Sequence, residues 1–298
     1  MAEASALFGG EISRRYEDYL GEFIFEPFAV DLAARIDWTG VGRVLELACG
    51  SGRLTARIVE QAPADVAIMA TDISDDMLRV AGDRVSDDRV TSDRVTGDRV
   101  SDDRATADRV TGDRVTGGRI TWRVADMLAL PFDSASFDLV VCQFGIMIVP
   151  DVPLALAEIF RVLRIGGRVV FSAWTDLAYN RLWALGDDVL LESIGKSPMT
   201  ADPGPFALGD EVFVTGLLES AGFTGVSVAE VVVTGESPSV EKAAFGFIYG
   251  LPVGSFVQKE NAGALPVILR TLEERLVAEL GDQPLRVPQK ALVYSATK

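Results

Sequence analysis

Between residues 40 and 176, short apolar runs alternate with stretches whose apolar positions recur at helical spacing. Val44, Leu45 and Leu47 form a run suited to a strand buried on both faces. The run stops at the small-residue loop Ala48-Cys49-Gly50-Ser51-Gly52, and from Arg53 the residues Leu54, Ile58 and Val59 fall near one helical face. The unit then returns. Val66 to Ala70 reads as a second strand, with Ser74 as N-cap of a helix carrying Met77 and Leu78. Arg119 to Val124 is a third strand and Phe137 to Cys142 a fourth. Asp151 to Leu163 is a helix with Leu156, Ile159, Phe160 and Leu163 on one face, closed by Gly166-Gly167, and Arg168 to Trp174 is a fifth strand. Such alternation predicts an α/β fold, a doubly wound and mostly parallel sheet with its ligands at the C-terminal strand ends. Val226 to Val233 and Ala291 to Ala296 add two strands, for seven in all, with a helix over Asp210 to Ala221 before them.

The remaining segments are helical additions to that core. Residues 11–36 read as two short helices broken near Pro27, within an N-terminal lid of residues 1–40. Core residues 41–176 are followed by a helical cap segment (177–209), a core continuation (210–237), a second cap segment (238–284) and the last core strand (285–298). Within the core, a five-residue unit recurs from Asp83-Arg84-Val85 through Asp113-Arg114-Val115, ending in the degenerate Gly118-Arg119-Ile120. A period of five matches neither helix nor strand, so no apolar face accumulates. Residues 83–117 are therefore expected to form a solvated, weakly ordered loop from tandem duplication rather than a solenoid.

The chemistry gathers at the predicted strand ends. Gly50 and Gly52 allow a sharp turn and close approach of a ligand to the main chain, and Glu46 sets a carboxylate just before them. A dinucleotide fingerprint needs a third Gly or Ala, whereas Gly50-Ser51-Gly52-Arg53-Leu54-Thr55 ends in Thr, which counts against NAD. Asp72 ends the second strand about twenty residues past the loop, where an acid accepts hydrogen bonds from ribose hydroxyls, and Ile73 is placed to pack on adenine. Asp126, directly after the third strand, can accept from the adenine amino group, with Met127 in apolar contact.

The loop A-C-G-S-G after Glu46, and above all A-D-M-L-A-L-P-F at residues 125–132 followed by S-F-D-L-V-V at 136–141, resemble class I S-adenosylmethionine (SAM)-dependent methyltransferases of the small-molecule, UbiE/methyltransferase type 11-like family. The resemblance implies a Rossmann-like seven-stranded sheet whose last strand is antiparallel at the edge. It implies SAM as cofactor, S-adenosylhomocysteine as product, and in-line transfer of the sulfonium methyl group to a small-molecule acceptor. Carried over, Glu46, Ala48, Gly50 and Gly52 hold the methionine end with Gln143 and the Cys142 backbone nearby, Asp72 the ribose, and Ile73, Met77, Asp126 and Met127 the adenine. Tyr16 and Tyr19 of Y-E-D-Y-L resemble a lid over the cofactor, and Phe144, Tyr179 and Asn180 stand on the expected acceptor side. The Asn/Asp-Pro-Pro-aromatic tetrapeptide of nucleobase amine methyltransferases is replaced here by Gln143-Phe144-Gly145-Ile146, and Ile165 stands where the family usually has Pro.

Composition narrows the options further. The chain of 298 residues is 48% hydrophobic, enough for a real core, and has no His. Zinc sites of Cys and His, Ser-His-Asp triads and His bases are thereby removed, and the two cysteines, Cys49 and Cys142, read as small apolar fillers. No calcium-loop spacing appears and no metal is expected. Deprotonation of an acceptor would fall to an Asp, Glu or Tyr of the cap, or the acceptor is already nucleophilic. A formal charge of -16 argues against nucleic acid as partner. The longest apolar run, Leu139 to Pro150, is shorter than the roughly 20 residues of a membrane helix, and Met1 to Gly10 lacks a signal pattern, so a cytoplasmic protein is expected. The aromatic cap suggests a hydrophobic acceptor such as a quinone, phenol, lipid-like or polyketide-like compound. Two other classes stay open: a nicotinamide-dependent oxidoreductase, and a catalytically silent SAM-binding or interaction protein whose working surface is the repeat.

Overall fold

A computed structural model describes residues 8–96, 106–107, 113–116, 118–200 and 204–298. The parallel centre of the sheet is β1 (Arg43–Glu46), β2 (Ala67–Asp72), β5 (Ile120–Val124), β6 (Phe137–Gln143) and β7 (Leu163–Trp174). β9 (Leu285–Thr297) runs antiparallel to β7, and β8 (Thr224–Ser237) lies outside it. With two short strands from the repeat, β3 (Thr106–Ala107) and β4 (Arg114–Thr116), the order is β3-β4-β5-β2-β1-β6-β7-β9-β8. The chain moves outward from β1 through β2 to β5, then returns to β6 on the other side of β1. A crevice opens at the C-terminal ends of β1 and β6, where strand order reverses.

Three expectations about elements need correction. The N-terminal segment is not broken at Pro27. α1 (Glu11–Arg15), a π-helical stretch (Tyr16–Phe25) and α2 (Glu26–Ala34) follow one another with helical backbone throughout. In the π register the Glu26 N–H donates to the Gly21 carbonyl, five residues back. Pro27 has no N–H to give Phe23 O, and Gln289 Nε2 approaches that carbonyl instead, at 3.4 Å.

The repeat also differs from the loop expected over 83–117. α3 (Arg53–Gln61) follows β1, and α4 (Asp75–Thr96) follows β2 and runs through the first copies of the unit. Ser74 Oγ caps α4 by accepting from Met77 N at 3.3 Å, and Leu78, Ala81 and Val85 bury one face. No Gly or Pro interrupts residues 83–96, and Gly97 is the first glycine after them. Pattern reading missed this because the interval of five hides the face that Val85 continues from Leu78 and Ala81. Arg114 and Thr116 then pair antiparallel with Trp122 and Ile120 of β5. The expectation of a loop over 97–105, 108–112 and 117 lies outside the described residues, as do residues 1–7 of the lid and 201–203 of the first cap segment.

Finally, α5 (Val152–Val162) ends where Leu163 turns extended, φ −70° and ψ 139°, so Gly166-Gly167 does not close it. The glycine pair instead bends the start of β7, where Gly166 N donates to Lys298 O and Lys298 N to Gly167 O, both at 2.9 Å.

Helices α6 (Arg181–Ile194), α8 (Val240–Tyr249), α9 (Val253–Asn261) and α10 (Leu265–Leu280) come from the two cap segments, and α7 (Glu211–Ser220) precedes β8. α10 packs on α6 and α8, and α8 packs on the π stretch. Lid and cap thus share one hydrophobic cluster with the sheet.

Candidate functional site

Ala48, Gly50 and Gly52 have φ of 49°, 55° and 79°, so three of the six residues between β1 and α3 take left-handed backbone. Their hydrogen bonds account for the shape: Cys49 N donates to Thr71 O and Gly52 N to Cys49 O, each at 2.9 Å. Gly50 N donates to Asp72 Oδ2 at 2.9 Å, while Asp72 Oδ1 accepts from Ser74 N at 2.8 Å. Asp72 is buried, and burial raises its pKa against the pull of these N–H groups from Ser74, Gly50 and Ile73.

The two glycines do different work. A Cβ on Gly50 would meet nothing within 4 Å, whereas one on Gly52 would stand 2.8 Å from Ala81 Cβ and 2.9 Å from Ala81 Cα. Gly50 leaves the loop open to the cavity, and Gly52 lets the loop touch α4. Gly145 makes a third close approach, since its Cβ would lie 2.4 Å from that of Ala48.

Over the crevice lies a cavity of about 470 Å³, within the range that holds a cofactor and a small acceptor. Ala48, Gly50, Asp72, Ile73, Met77, Asp126, Met127 and Gln143 all line it, as do Tyr16 and Phe144. Met77, Met127 and Leu128 form an apolar slot near Asp126, whose Oδ1 accepts from Leu128 N at 2.9 Å. Glu46 faces a small adjoining cleft with Cys49, Gly50 and Arg53. It is buried, with Oε2 unpartnered, and burial pushes its pKa up to about 8; the Thr55 hydroxyl lowers it and the Asp72 charge raises it.

At the other end, Phe144 holds a left-handed φ of 55° and stacks on Trp174, with ring centroids 3.9 Å apart and planes at 14°. Trp183, Met199 and Phe206 of the first cap segment and Leu251 and Val253 of the second continue this wall. Among the described residues of the wall, the ionisable side chains are Tyr16, Asp72 and Asp126. The Tyr16 phenol is raised far above its ordinary value, first by burial and then by the charges of Glu17 and Asp72, so it does not serve as a base.

Several expected site residues stand elsewhere. Gly52 and Cys142 do not line the cavity; burial raises the Cys142 thiol to about 12 and the Cys49 thiol well above its ordinary value. Tyr19 packs on Phe245 instead, with centroids 4.7 Å apart. Tyr179 is 59% exposed with Lys290 Nζ over its ring, and Asn180 is fully buried, bonded to the backbone of Lys290 at both its amide nitrogen and oxygen. Both fall outside the wall because the chain turns away from the crevice after Trp174. Wall residues missed from sequence include Phe25, Trp174, Trp183 and Phe206. Trp174 had a signal, as the last residue of a predicted strand; Trp183 and Phe206 had none, since only folding brings the cap over the sheet. Among the described residues no cluster of carboxylates and cysteines suits a metal ion, and no helix is long and apolar enough to cross a membrane.

Comparison with known proteins agrees with this geometry. A family model described as a methyltransferase domain matches residues 45–171. The ubiquinone/menaquinone biosynthesis C-methyltransferase UbiE of Geobacter sulfurreducens is 31% identical over 183 residues, which is 58% of this chain and 60% of that protein. The chain thus spans less than two thirds of that relative's length. An uncharacterized protein of Mycobacterium bovis is 25% identical over 273 residues, covering 89% of this chain and 84% of its own, so this likeness takes in the lid and cap as well. Among solved structures, phosphoethanolamine N-methyltransferase 2 of Haemonchus contortus, in complex with phosphomonomethylethanolamine and S-adenosylhomocysteine, superposes with a TM-score of 0.55 at 14% identity, over 96% of this chain and 56% of that one. At that identity the likeness is one of fold.

Proposed function

The chain carries a class I SAM-dependent methyltransferase domain, and from that premise we propose that it transfers a methyl group to a small, hydrophobic, ring-bearing acceptor by in-line displacement. One observation carries the reading: a single cavity is polar at the glycine loop and, among the described residues, without a charged side chain where the cap covers Phe144 and Trp174. SAM fits the polar end. Glu46 has an unpartnered carboxylate oxygen suited to the ammonium of the methionine end, Gly50 leaves open space beside the loop, and Met77 and Met127 flank Asp126 as an adenine slot.

When bound, SAM supplies an electrophilic methyl carbon. The protein binds, orients and excludes water. The Phe144–Trp174 stack and the cap side chains hold the acceptor against the polar end and keep the reacting centre dry. Asp72 and Asp126 are taken up by the cofactor, and the described wall around Phe144 and Trp174 adds no carboxylate, so the acceptor brings its own nucleophile, as an ionised oxygen, an amine lone pair or an electron-rich ring carbon. The protein acts on a small molecule in the cytoplasm, and its formal charge of -16 suits it poorly to nucleic acid.

Calorimetric titration with SAM, S-adenosylhomocysteine and NAD tests the cofactor. The two adenosyl compounds are expected to bind and NAD not to, and Asp72→Ala should weaken binding by roughly tenfold or more, the worth of a charge-assisted hydrogen bond. Saturable binding of NAD alone would replace this reading with the oxidoreductase. Turnover confined to small hydrophilic acceptors would overturn the acceptor class.

A further inference from the structure

The glycine loop, the roof helix and the repeat meet in one charge cluster. Arg84, the first arginine of the repeat, donates from Nε to the Ser51 carbonyl at 3.1 Å, and its terminal nitrogen bonds Glu17 of the π stretch. Glu17 also bonds Arg53, the first residue of α3, whose Nη1 holds Glu26 at 2.7 Å. The side chains of Arg53, Glu17, Arg84 and Glu26 are only 11%, 14%, 20% and 20% exposed, so water screens these pairs weakly. A Cβ at Gly21 would stand 2.5 Å from Arg53 Nε, and its absence lets the roof lie on the cluster.

The placement of the two carboxylates gives the cluster its meaning. Glu17 follows Tyr16 and Glu26 follows Phe25, and both aromatics line the cavity and stack on each other with centroids 4.6 Å apart. The roof is therefore pinned at two points, each next to an aromatic that covers the cofactor end. Arg84 is the member that joins a pin directly to the backbone of the glycine loop. Ser51 lies between Gly50 and Gly52, whose left-handed backbone has little intrinsic rigidity, so an outside bond to its carbonyl reduces the loop's freedom.

We infer that Arg84 is a positioning residue for the cofactor pocket, fastening the aromatic roof to the glycine loop through Glu17 and the Ser51 carbonyl. This rests on the adenosyl cofactor proposed above. It also separates the start of the repeat from the rest, because the first copy belongs to the pocket. Lys in its place would retain a charge for Glu17 but not the planar fork that reaches Glu17 and Ser51 O together.

The test titrates S-adenosylhomocysteine into the full chain and into the Arg84→Gln, Arg84→Lys and Arg79→Gln variants, with thermal midpoints recorded for each. Arg79 is the control, an exposed arginine on the same helix paired with Asp75 and Asp76. Arg84→Gln is expected to raise the dissociation constant roughly tenfold, Arg84→Lys to recover part of that, and Arg79→Gln to change nothing. Amide hydrogen exchange supplies a readout that a purely structural role would not move. Ligand should protect the glycine loop and Tyr16–Phe25 together in the parent chain, and the loop without the roof in Arg84→Gln. If Arg84→Gln fails to fold, Glu17→Gln removes the roof tether while leaving the Ser51 bond, and should show the same uncoupling. Parent-like affinity and protection in the folded variants would overturn the inference while the cofactor stands. A parent chain that binds no S-adenosylhomocysteine would remove the cofactor reading and this inference with it.

Discussion

Single residues in the site carry opposite loads, and Glu46 is the clearest. In the unfolded chain its carboxyl titrates near its ordinary 4.5, and in the fold burial holds it up at about 8. The native state therefore retains a proton that the unfolded state has lost, and this contribution to stability is full below the unfolded value and lost as pH rises through the folded one. Unfolding free energies from urea titrations run from about pH 5 to about pH 9 should fall for the parent chain relative to Glu46→Gln, by a few kcal/mol at most. Parallel curves for the two would show that Glu46 ionises normally in the fold. The two loop glycines make a second contrast at this scale. Gly50→Ala strains a left-handed residue facing open space, costs about 1 kcal/mol, and should chiefly weaken cofactor binding. Gly52→Ala adds a collision with the backbone of α4 and should cost roughly 2–4 kcal/mol, seen as the larger fall in thermal midpoint. Equal falls would mean that the loop moves away from α4 at little cost.

Among the elements, the π stretch Tyr16–Phe25 depends most on its neighbours. Its register shifts carbonyls out of the usual helical pairing, and β6 and β9 answer with glutamines. Gln143 Nε2 donates to Phe25 O at 2.8 Å, and Gln289 Nε2 approaches Phe23 O. Gly235 of β8 permits this closeness, since a Cβ there would be 2.2 Å from Phe23 O. Gln143→Leu removes the sheet's bond to the Phe25 carbonyl and is expected to cost about 1 kcal/mol and to speed hydrogen exchange in Tyr16–Phe25 while β6 stays protected. Uniform loss of protection across the roof and β6 would instead assign Gln143 to the sheet. Gln143 thus reaches the cavity while also holding up its roof, a double role that spacing in sequence did not reveal.

Across the molecule, the described parts of the repeat are tied to the pocket and to the sheet. Its first copy joins the pocket through Arg84, and Asp113-Arg114-Val115 joins α4 through Arg114–Asp75 and β5 through Asp113–Arg123. Deleting residues 88–117, so that Asp87 runs into Gly118, keeps Arg84 and the seven principal strands. S-adenosylhomocysteine affinity is expected to change by less than about twofold, and the thermal midpoint by a few degrees, for loss of the two short edge strands and the Asp113–Arg123 pair. A large loss of either would make the interior copies part of the folded core.

The sequence by itself determined the alternation of strands and helices, the glycine loop, and the acids at the ends of β1, β2 and β5. Each of these is a local consequence of residue type: a buried strand must be apolar, a tight loop needs glycine, and a ligand at a strand end needs its acceptor at that position. Asp72 and Asp126 were legible as strand-end acids, and both line the cavity. Only the tertiary structure decided that Gly52 serves packing against α4, that Asn180 and Tyr179 lie away from the cavity, and that Trp183 and Phe206 close over it. Those roles depend on contacts between segments far apart in the chain. The same holds for α4, whose continuation into the repeat needed Val85 buried and Arg84 bonded across to Glu17 and Ser51. A five-residue period carries no sign of those partners, because they belong to other elements.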